Sequence, residues 1–215
     1  MRFNVYGFLI ALGIFVALEI AKRSKIRTIE VDELERKTFW IVLAGIIGAR
    51  IYHVLDLSEY YYANLGSVFK IWEGGLGIWG ALIGGVCAAI FLFREKKKLI
   101  NLLDLAGLGL PLAQAIGRWG NSFNQEIVGV AGFPLYLVES ILNLVLFGCL
   151  YKYSEKSKPG KTFGLYLIGY GSIRLVLEFF RQANDQWWIG IWPIFALFPM
   201  VAILTGVYFI WRKQS

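Results

Sequence analysis

A chain of 215 residues that is 57% hydrophobic and only 17% charged is too apolar for a soluble domain of that length, so most of its surface faces lipid. A formal charge of +7 would point to nucleic acid in a soluble protein. Here the basic residues concentrate in short stretches between apolar runs, where membrane topology explains them and nucleic acid is not an expected partner.

The first apolar segment, from Asn4 to Ala21, has one Arg before it, a basic stretch after it and no small-residue cleavage site. It reads as a retained span, not a removable signal peptide. Further apolar segments follow at 38–57, 76–93, 99–117, 133–151, 163–180 and 190–211, each long enough to cross a bilayer as a helix. The expectation is an all-α, polytopic integral membrane protein of about seven transmembrane helices, built as one domain over 1–215.

Seven spans put the termini on opposite sides. The connections 22–37, 94–98 and 152–161, with the tail after Trp211, hold 16 of the 22 Lys and Arg residues. The other side has Arg2, Lys70, Arg118 and Arg181, with Arg50 and Arg174 further inside the spans. By the positive-inside rule the N-terminus is out and the C-terminus in. Tyr60, Tyr61, Tyr62, Phe69 and Trp72, and later Trp187, Trp188 and Trp192, suit an outer interfacial belt.

In the third span Gly77, Ala81 and Gly85, and Gly80, Gly84 and Ala88, form two small-residue rows at i, i+4, the pattern of close helix packing. Cys87 and Cys149 lie inside apolar runs and read as packing residues. Pro111 is expected to kink or loosen the fourth span.

Arg50, Glu73, Arg118, Glu126, Glu139, Arg174 and Glu178 lie in or beside apolar segments near their outer ends. A charge at the bilayer centre costs about 2.5–3.5 kcal/mol on insertion scales, so the set calls for a return. For any one residue, a buried ion pair fixing helix register competes evenly with function; for the set together, function is favoured. Tyr170, Arg174, Glu178 and Arg181 follow at i+4, i+4 and i+3 and share one helical face. The stretch Gly117-Arg118-Trp119-Gly120-Asn121-Ser122-Phe123-Asn124-Gln125-Glu126 reads as a glycine-flanked turn that brings backbone and Arg118 close to an anion. Arginines at the outer leaflet suit a phosphate-bearing lipid head group, held for binding or for catalysis, because guanidinium matches phosphate oxygens bidentately. A metal site is not expected, since His53 is the one histidine and no tight carboxylate cluster stands beside it. An intramembrane serine protease lacks its pair, because no serine has a partner other than His53.

At these residues the chain resembles the bacterial phosphatidylglycerol:prolipoprotein diacylglyceryl transferases over nearly its whole length. The matching strings are Tyr6-Gly7, Gly48-Ala49-Arg50, Trp72-Glu73-Gly74-Gly75, Gly117-Arg118 through Glu126 with Gly129, Phe133-Pro134 with Glu139, Gly169-Tyr170-Gly171 with Arg174, and Glu178-Phe179-Phe180-Arg181-Gln182. The resemblance implies a multi-pass enzyme of the bacterial cytoplasmic (inner) membrane with its site toward the outer leaflet and no cofactor. Its substrates would be phosphatidylglycerol and the lipobox cysteine of a prolipoprotein signal peptide. The products would be a thioether and glycerol phosphate. A cationic site favours the thiolate and stabilises the leaving phosphate. The resemblance puts Arg118 and Arg174 on the phosphate and Glu178 behind Arg174, with Asn121, Asn124 and Glu126 shaping the site and Arg50, Glu73 and Arg181 among its substrate-binding residues. Tyr6 would hydrogen-bond lipid or thiol; composition alone would make it an interfacial anchor.

Two departures stand out. Many family members carry histidine in the glycine-rich start of the third span, where this chain reads Gly77-Ile78-Trp79-Gly80. One branch of the family shares that Trp together with an Arg-x-Tyr-His string like Arg50 to His53. His53 is therefore a candidate base, at i+3 from Arg50 and with an imidazole's suitability for proton transfer near neutral pH, against the competing reading of a hydrogen-bonded residue at a helix end. The external insertion usual after the Gly-Arg-x-Gly-Asn stretch is shortened here to 127–132. A non-catalytic anionic-lipid binding or transport protein is the alternative. A head-group phosphatidyltransferase is disfavoured for want of an acidic metal-holding motif.

Overall fold

The computed structural model describes residues 5–123, 129–181, 188–189 and 192–212. They form eight α-helices: α1 (Val5–Arg23), α2 (Val31–Asp56), α3 (Ser58–Ala63), α4 (Ile78–Leu92), α5 (Lys96–Phe123), α6 (Leu135–Ser154), α7 (Lys161–Glu178) and α8 (Ile194–Trp211). A two-residue antiparallel pairing, Trp188–Ile189 with Trp192–Pro193, precedes α8. Each of the seven apolar segments falls on a helix. The helices α1, α2 and α6, and α5 over Lys96–Gly120, are long and apolar enough to cross a membrane; Ile78–Leu92 and Ala196–Trp211 are shorter apolar helices. Over its 18 residues α7 carries Lys161, Arg174 and Glu178, so its charge, not its length, sets it apart.

The helix α2 begins before the apolar run. Asp32 and Glu33 lie in its first turn, where acids complement the helix dipole, and Lys37 Nζ reaches Glu33 at 2.7 Å one turn later. Pro111 sits inside α5 without ending it.

The chain divides into two compact units, one of residues up to Thr28 with those from Ile100 onward, the other of Ile29–Leu99. In the second unit α2 packs along α4 through the glycine rows. A Cβ on Gly80 would fall on the carbonyl oxygen of Gly48 and 2.5 Å from Tyr52 Cβ, and one on Gly84 would fall on that of Ala44. With no side chains between them the two backbones approach closely enough for dispersion contact along the whole crossing.

In the first unit the same device joins α1 to α5, where a Cβ on Gly109 would lie 2.9 Å from Ala17 O, and α7 to α8, where one on Gly164 would lie 2.9 Å from Gly206 O. Asp104, buried on α5, accepts hydrogen bonds from Gly160 N and from Phe163 N (2.9 Å), satisfying two donors of the first turn of α7 that have no partner inside the helix. Asn101, one turn earlier, accepts from Thr28 N (2.9 Å) and donates to Ile26 O (2.7 Å). Outside the spans, Lys25 Nζ holds Glu155 at 2.6 Å, and its hydrogen bond keeps that carboxyl below its ordinary pKa.

The glycine contacts separate two neighbouring positions. Gly80→Ala should cost about 1–3 kcal/mol by overpacking, whereas Gly85→Ala, whose nearest neighbour would be Ile41 Cγ2 at 3.9 Å, should leave stability unchanged. Detergent unfolding followed by circular dichroism measures both.

Candidate active site

Three helices of the first unit turn polar faces toward one another. On α7 the i, i+4 stripe runs Tyr166, Tyr170, Arg174, Glu178; on α5 it is Gln114 and Arg118; on α6 it is Glu139 and Asn143. Glu139, 2% exposed, stands between the two arginines. Arg118 Nη2 is 2.8 Å from its Oε1 and Arg174 Nη1 is 3.0 Å from its Oε2. Arg174 Nη2 also lies 3.6 Å from Glu178 Oε2, and Arg181 Nη1 lies 3.8 Å from Glu178 Oε1. Arg118 Nη2 further donates to Tyr170 Oη at 3.5 Å.

Among the described residues this cluster brings three guanidiniums to two carboxylates. Both Arg118 and Arg174 remain about one-fifth exposed, and a guanidinium has five N–H donors. One helical turn further along the same faces, Gln114 Nε2 donates to Tyr166 Oη at 2.9 Å, and Tyr166 stacks on Tyr170 at 5.9 Å. Asn143 is fully buried there.

The stretch after Gly117 is not a turn. The helix α5 continues through Phe123, so Arg118 is a side chain on a helix, and backbone N–H groups there belong to the i→i−4 ladder and are not open to an anion. Gly120 serves packing instead: a Cβ there would lie 2.6 Å from Tyr6 Cδ2, which places the Tyr6 ring on α5 two residues from Arg118. Asn121 sits in the last turn of α5. Asn124 and Glu126 lie outside the described residues, as do 127 and 128 of the shortened connection. Its remainder bonds to the end of α7: Val130 N donates to Phe180 O at 2.8 Å, Gly129 bridges to Arg181, and Phe133 stacks on Phe180 at 5.2 Å.

In the second unit Arg50, 8% exposed, is committed to backbone. Its Nε donates to Val68 O (2.9 Å), Nη1 to Gly74 O (2.7 Å) and Gly75 O (2.9 Å), and Nη2 to Ser67 O. These contacts make it a clamp on the segment 67–75. Gly74 and Gly75 take φ of 93° and 73°, a region that side-chain-bearing residues rarely enter. Glu73 lies on the clamped segment in a short 3-10 turn. A cavity of about 220 Å³ is lined by Arg50, His53, Tyr60, Tyr61, Ser67, Gly74 and Gly75, and His53 Nδ1 is 3.1 Å from Tyr61 Oη. Cys87 and Cys149 are free and exposed. Among the described residues no group of three His, Cys, Asp or Glu side chains converges on a metal position.

Sequence reasoning marked Glu139 as a buried charge without giving it a place in the site. The signal was a lone acid in the apolar run Leu135–Ser154, and the partners it meets come from two other helices.

These features define a helical membrane protein with a largely buried arginine–glutamate cluster on three facing helices. The model of the prolipoprotein diacylglyceryl transferase family matches residues 1–212, and the chain belongs to that family. Three relatives carry the name phosphatidylglycerol–prolipoprotein diacylglyceryl transferase. The one from Symbiobacterium thermophilum is 36% identical, with 84% of this chain and 77% of the relative covered. That from Fervidobacterium nodosum is 38% identical, covering 82% and 70%, and that from Thermotoga maritima is 36% identical, covering 94% and 78%.

Removing the bridging carboxylate leaves two partly buried guanidiniums facing each other. Glu139→Ala should therefore lower stability by about 3–5 kcal/mol, while Glu155→Ala, which breaks an exposed pair, should have no measurable effect. Unfolding of the purified variants in detergent checks the contrast.

Proposed function

We propose that the chain transfers the diacylglyceryl group of phosphatidylglycerol to the thiol of a prolipoprotein's lipobox cysteine. The observation that carries this reading is the pair Arg118 and Arg174 held on the single carboxylate of Glu139, each guanidinium still about one-fifth exposed. The thiolate sulfur attacks the glyceryl carbon next to the phosphate, a C–S bond forms, and the C–O bond breaks with its electron pair going to the phosphate oxygen. Glycerol phosphate leaves. Charge therefore grows on the phosphate as the reaction proceeds, and guanidinium groups already fixed beside it stabilise that charge without reorganising.

In this account Arg118 and Arg174 grip the phosphate and Glu139 sets their spacing. Glu178 orients Arg174 from one side and Arg181 from the other. Tyr6 and Asn121, with Asn124 and Glu126, shape the wall around the lipid. Arg50 positions the segment bearing Glu73, and His53 takes the thiol proton. The chain is a multi-pass protein of seven spans, N-terminus out and C-terminus in, in the bacterial cytoplasmic membrane, with the site at the outer leaflet where secreted prolipoproteins emerge. The distribution of basic residues supports that orientation. With so short a connection at 127–132, docking of the prolipoprotein differs from that in family members with the longer insertion. A lipid binder or transporter would need the same arginines but is not favoured by membership of a transferase family.

Arg118→Lys and Arg174→Lys keep the charge but lose bidentate geometry. Each should slow thioether formation from phosphatidylglycerol and a lipobox peptide about 100-fold; near-wild-type turnover in either would contradict the phosphate assignment. In intact cells, cysteines placed at 94–98 should escape a membrane-impermeant reagent, and cysteines at 118–132 should react with it. The reverse pattern would overturn the orientation.

A further inference from the structure

We infer that Tyr61 is the positioning residue for His53: its phenol oxygen accepts the Nδ1–H of the imidazole, fixes the ring, and leaves Nε2 to take the proton of the substrate thiol. The inference rests on the reading of His53 as the base. Three tyrosines stand in a row on α3, and only one turns inward: Tyr61 is 5% exposed, against 53% for Tyr60 and 80% for Tyr62. Its hydroxyl meets His53 Nδ1 at 3.1 Å and its ring meets the imidazole edge-on, with centroids 5.8 Å apart. Behind it the Arg50 guanidinium, immobilised by the carbonyls of Ser67, Val68, Gly74 and Gly75, lies 5.3 Å from the ring centroid, a cation–π contact that holds the phenol in place.

Gly75 completes the fit. A Cβ there would lie 2.7 Å from His53 Cε1 and 2.7 Å from Arg50 Nη1, so only glycine lets the imidazole sit against this backbone. Among the described residues, the charged and titratable groups lining the cavity with His53 are Arg50 from α2 and Tyr60 and Tyr61 from α3.

The contact between His53 Nδ1 and Tyr61 Oη admits either tautomer, and the inferred one carries the proton on Nδ1. A base must present a bare nitrogen, and a neutral imidazole has one N–H and one acceptor. With Nδ1–H donating to Tyr61 Oη, Nε2 is that acceptor. When the thiol S–H bond breaks, its proton goes to Nε2 and the electron pair stays on sulfur. The resulting imidazolium donates from both nitrogens, so Tyr61 Oη accepts from Nδ1 before and after the transfer and nothing need move.

The test measures thioether formation from phosphatidylglycerol vesicles and a lipobox peptide across pH, using purified full-length wild type, Tyr61→Phe, His53→Gln and the double variant. Tyr61→Phe keeps the ring and its Arg50 contact, and matching thermal midpoints verify the fold. The expected result is a kcat about tenfold lower for Tyr61→Phe, with KM for both substrates unchanged and the acidic limb displaced, and no further loss when Tyr61→Phe is added to His53→Gln. An equal loss in both backgrounds, or an unmoved acidic limb in Tyr61→Phe alongside a moved one in His53→Gln, would overturn the positioning role while leaving His53 as base. An unchanged rate and acidic limb in His53→Gln would overturn the base itself and this inference with it.

Discussion

One carboxylate organises the larger unit. Glu139 is buried between Arg118 and Arg174, and without it two like charges on neighbouring helices would repel in a medium of low dielectric. With it, α5, α6 and α7 are tied at a single level, and the polar stripes on all three face inward together. Ser140 Oγ, donating to Ala115 O at 2.9 Å, fixes the same register one residue further on. The arrangement links the packing to chemistry: a register that satisfies Glu139 also presents two guanidiniums at a spacing set by one carboxyl group.

The rest of the molecule brings backbones close and keeps polar groups satisfied at helix ends. Glycine contacts join α1 to α5, α2 to α4 and α7 to α8, where lipid supplies no hydrophobic force to drive helices together. Asp104 and Asn101 occupy one face of α5 and hold, respectively, the start of α7 and the connection after α1. The segment 67–75 is made of short 3-10 turns, and Arg50 donates to four of its carbonyls. A buried guanidinium with several carbonyl partners is a stable use of charge in an apolar setting.

What the sequence displays is what repeats with a helical period. The stripe Tyr170, Arg174, Glu178, Arg181 and the glycine rows of α4 were legible because neighbours at i+3 and i+4 share a face whatever the tertiary fold. The stretch after Gly117 was misread because paired glycines signal a turn, whereas here Gly120 makes room for the Tyr6 ring and the helix runs on to Phe123. Arg50 was legible as a charge inside a span, but the carbonyls it holds lie 17 to 25 residues away, where no local pattern reveals them. Glu139 was visible as a buried acid, but its two arginines come from other helices, 21 and 35 positions distant.

The most direct test of the account follows both halves of the lipid through one turnover. Purified protein would be given a lipobox peptide and phosphatidylglycerol carrying one isotope in its glycerol head group and another in its diacylglyceryl portion. Cleavage between the glyceryl carbon and the phosphate oxygen predicts the diacylglyceryl isotope in a peptide thioether and the head-group isotope in free glycerol phosphate, in equal amounts. Phosphate transferred with the lipid, or lipid retained intact on the protein without either product, would contradict it.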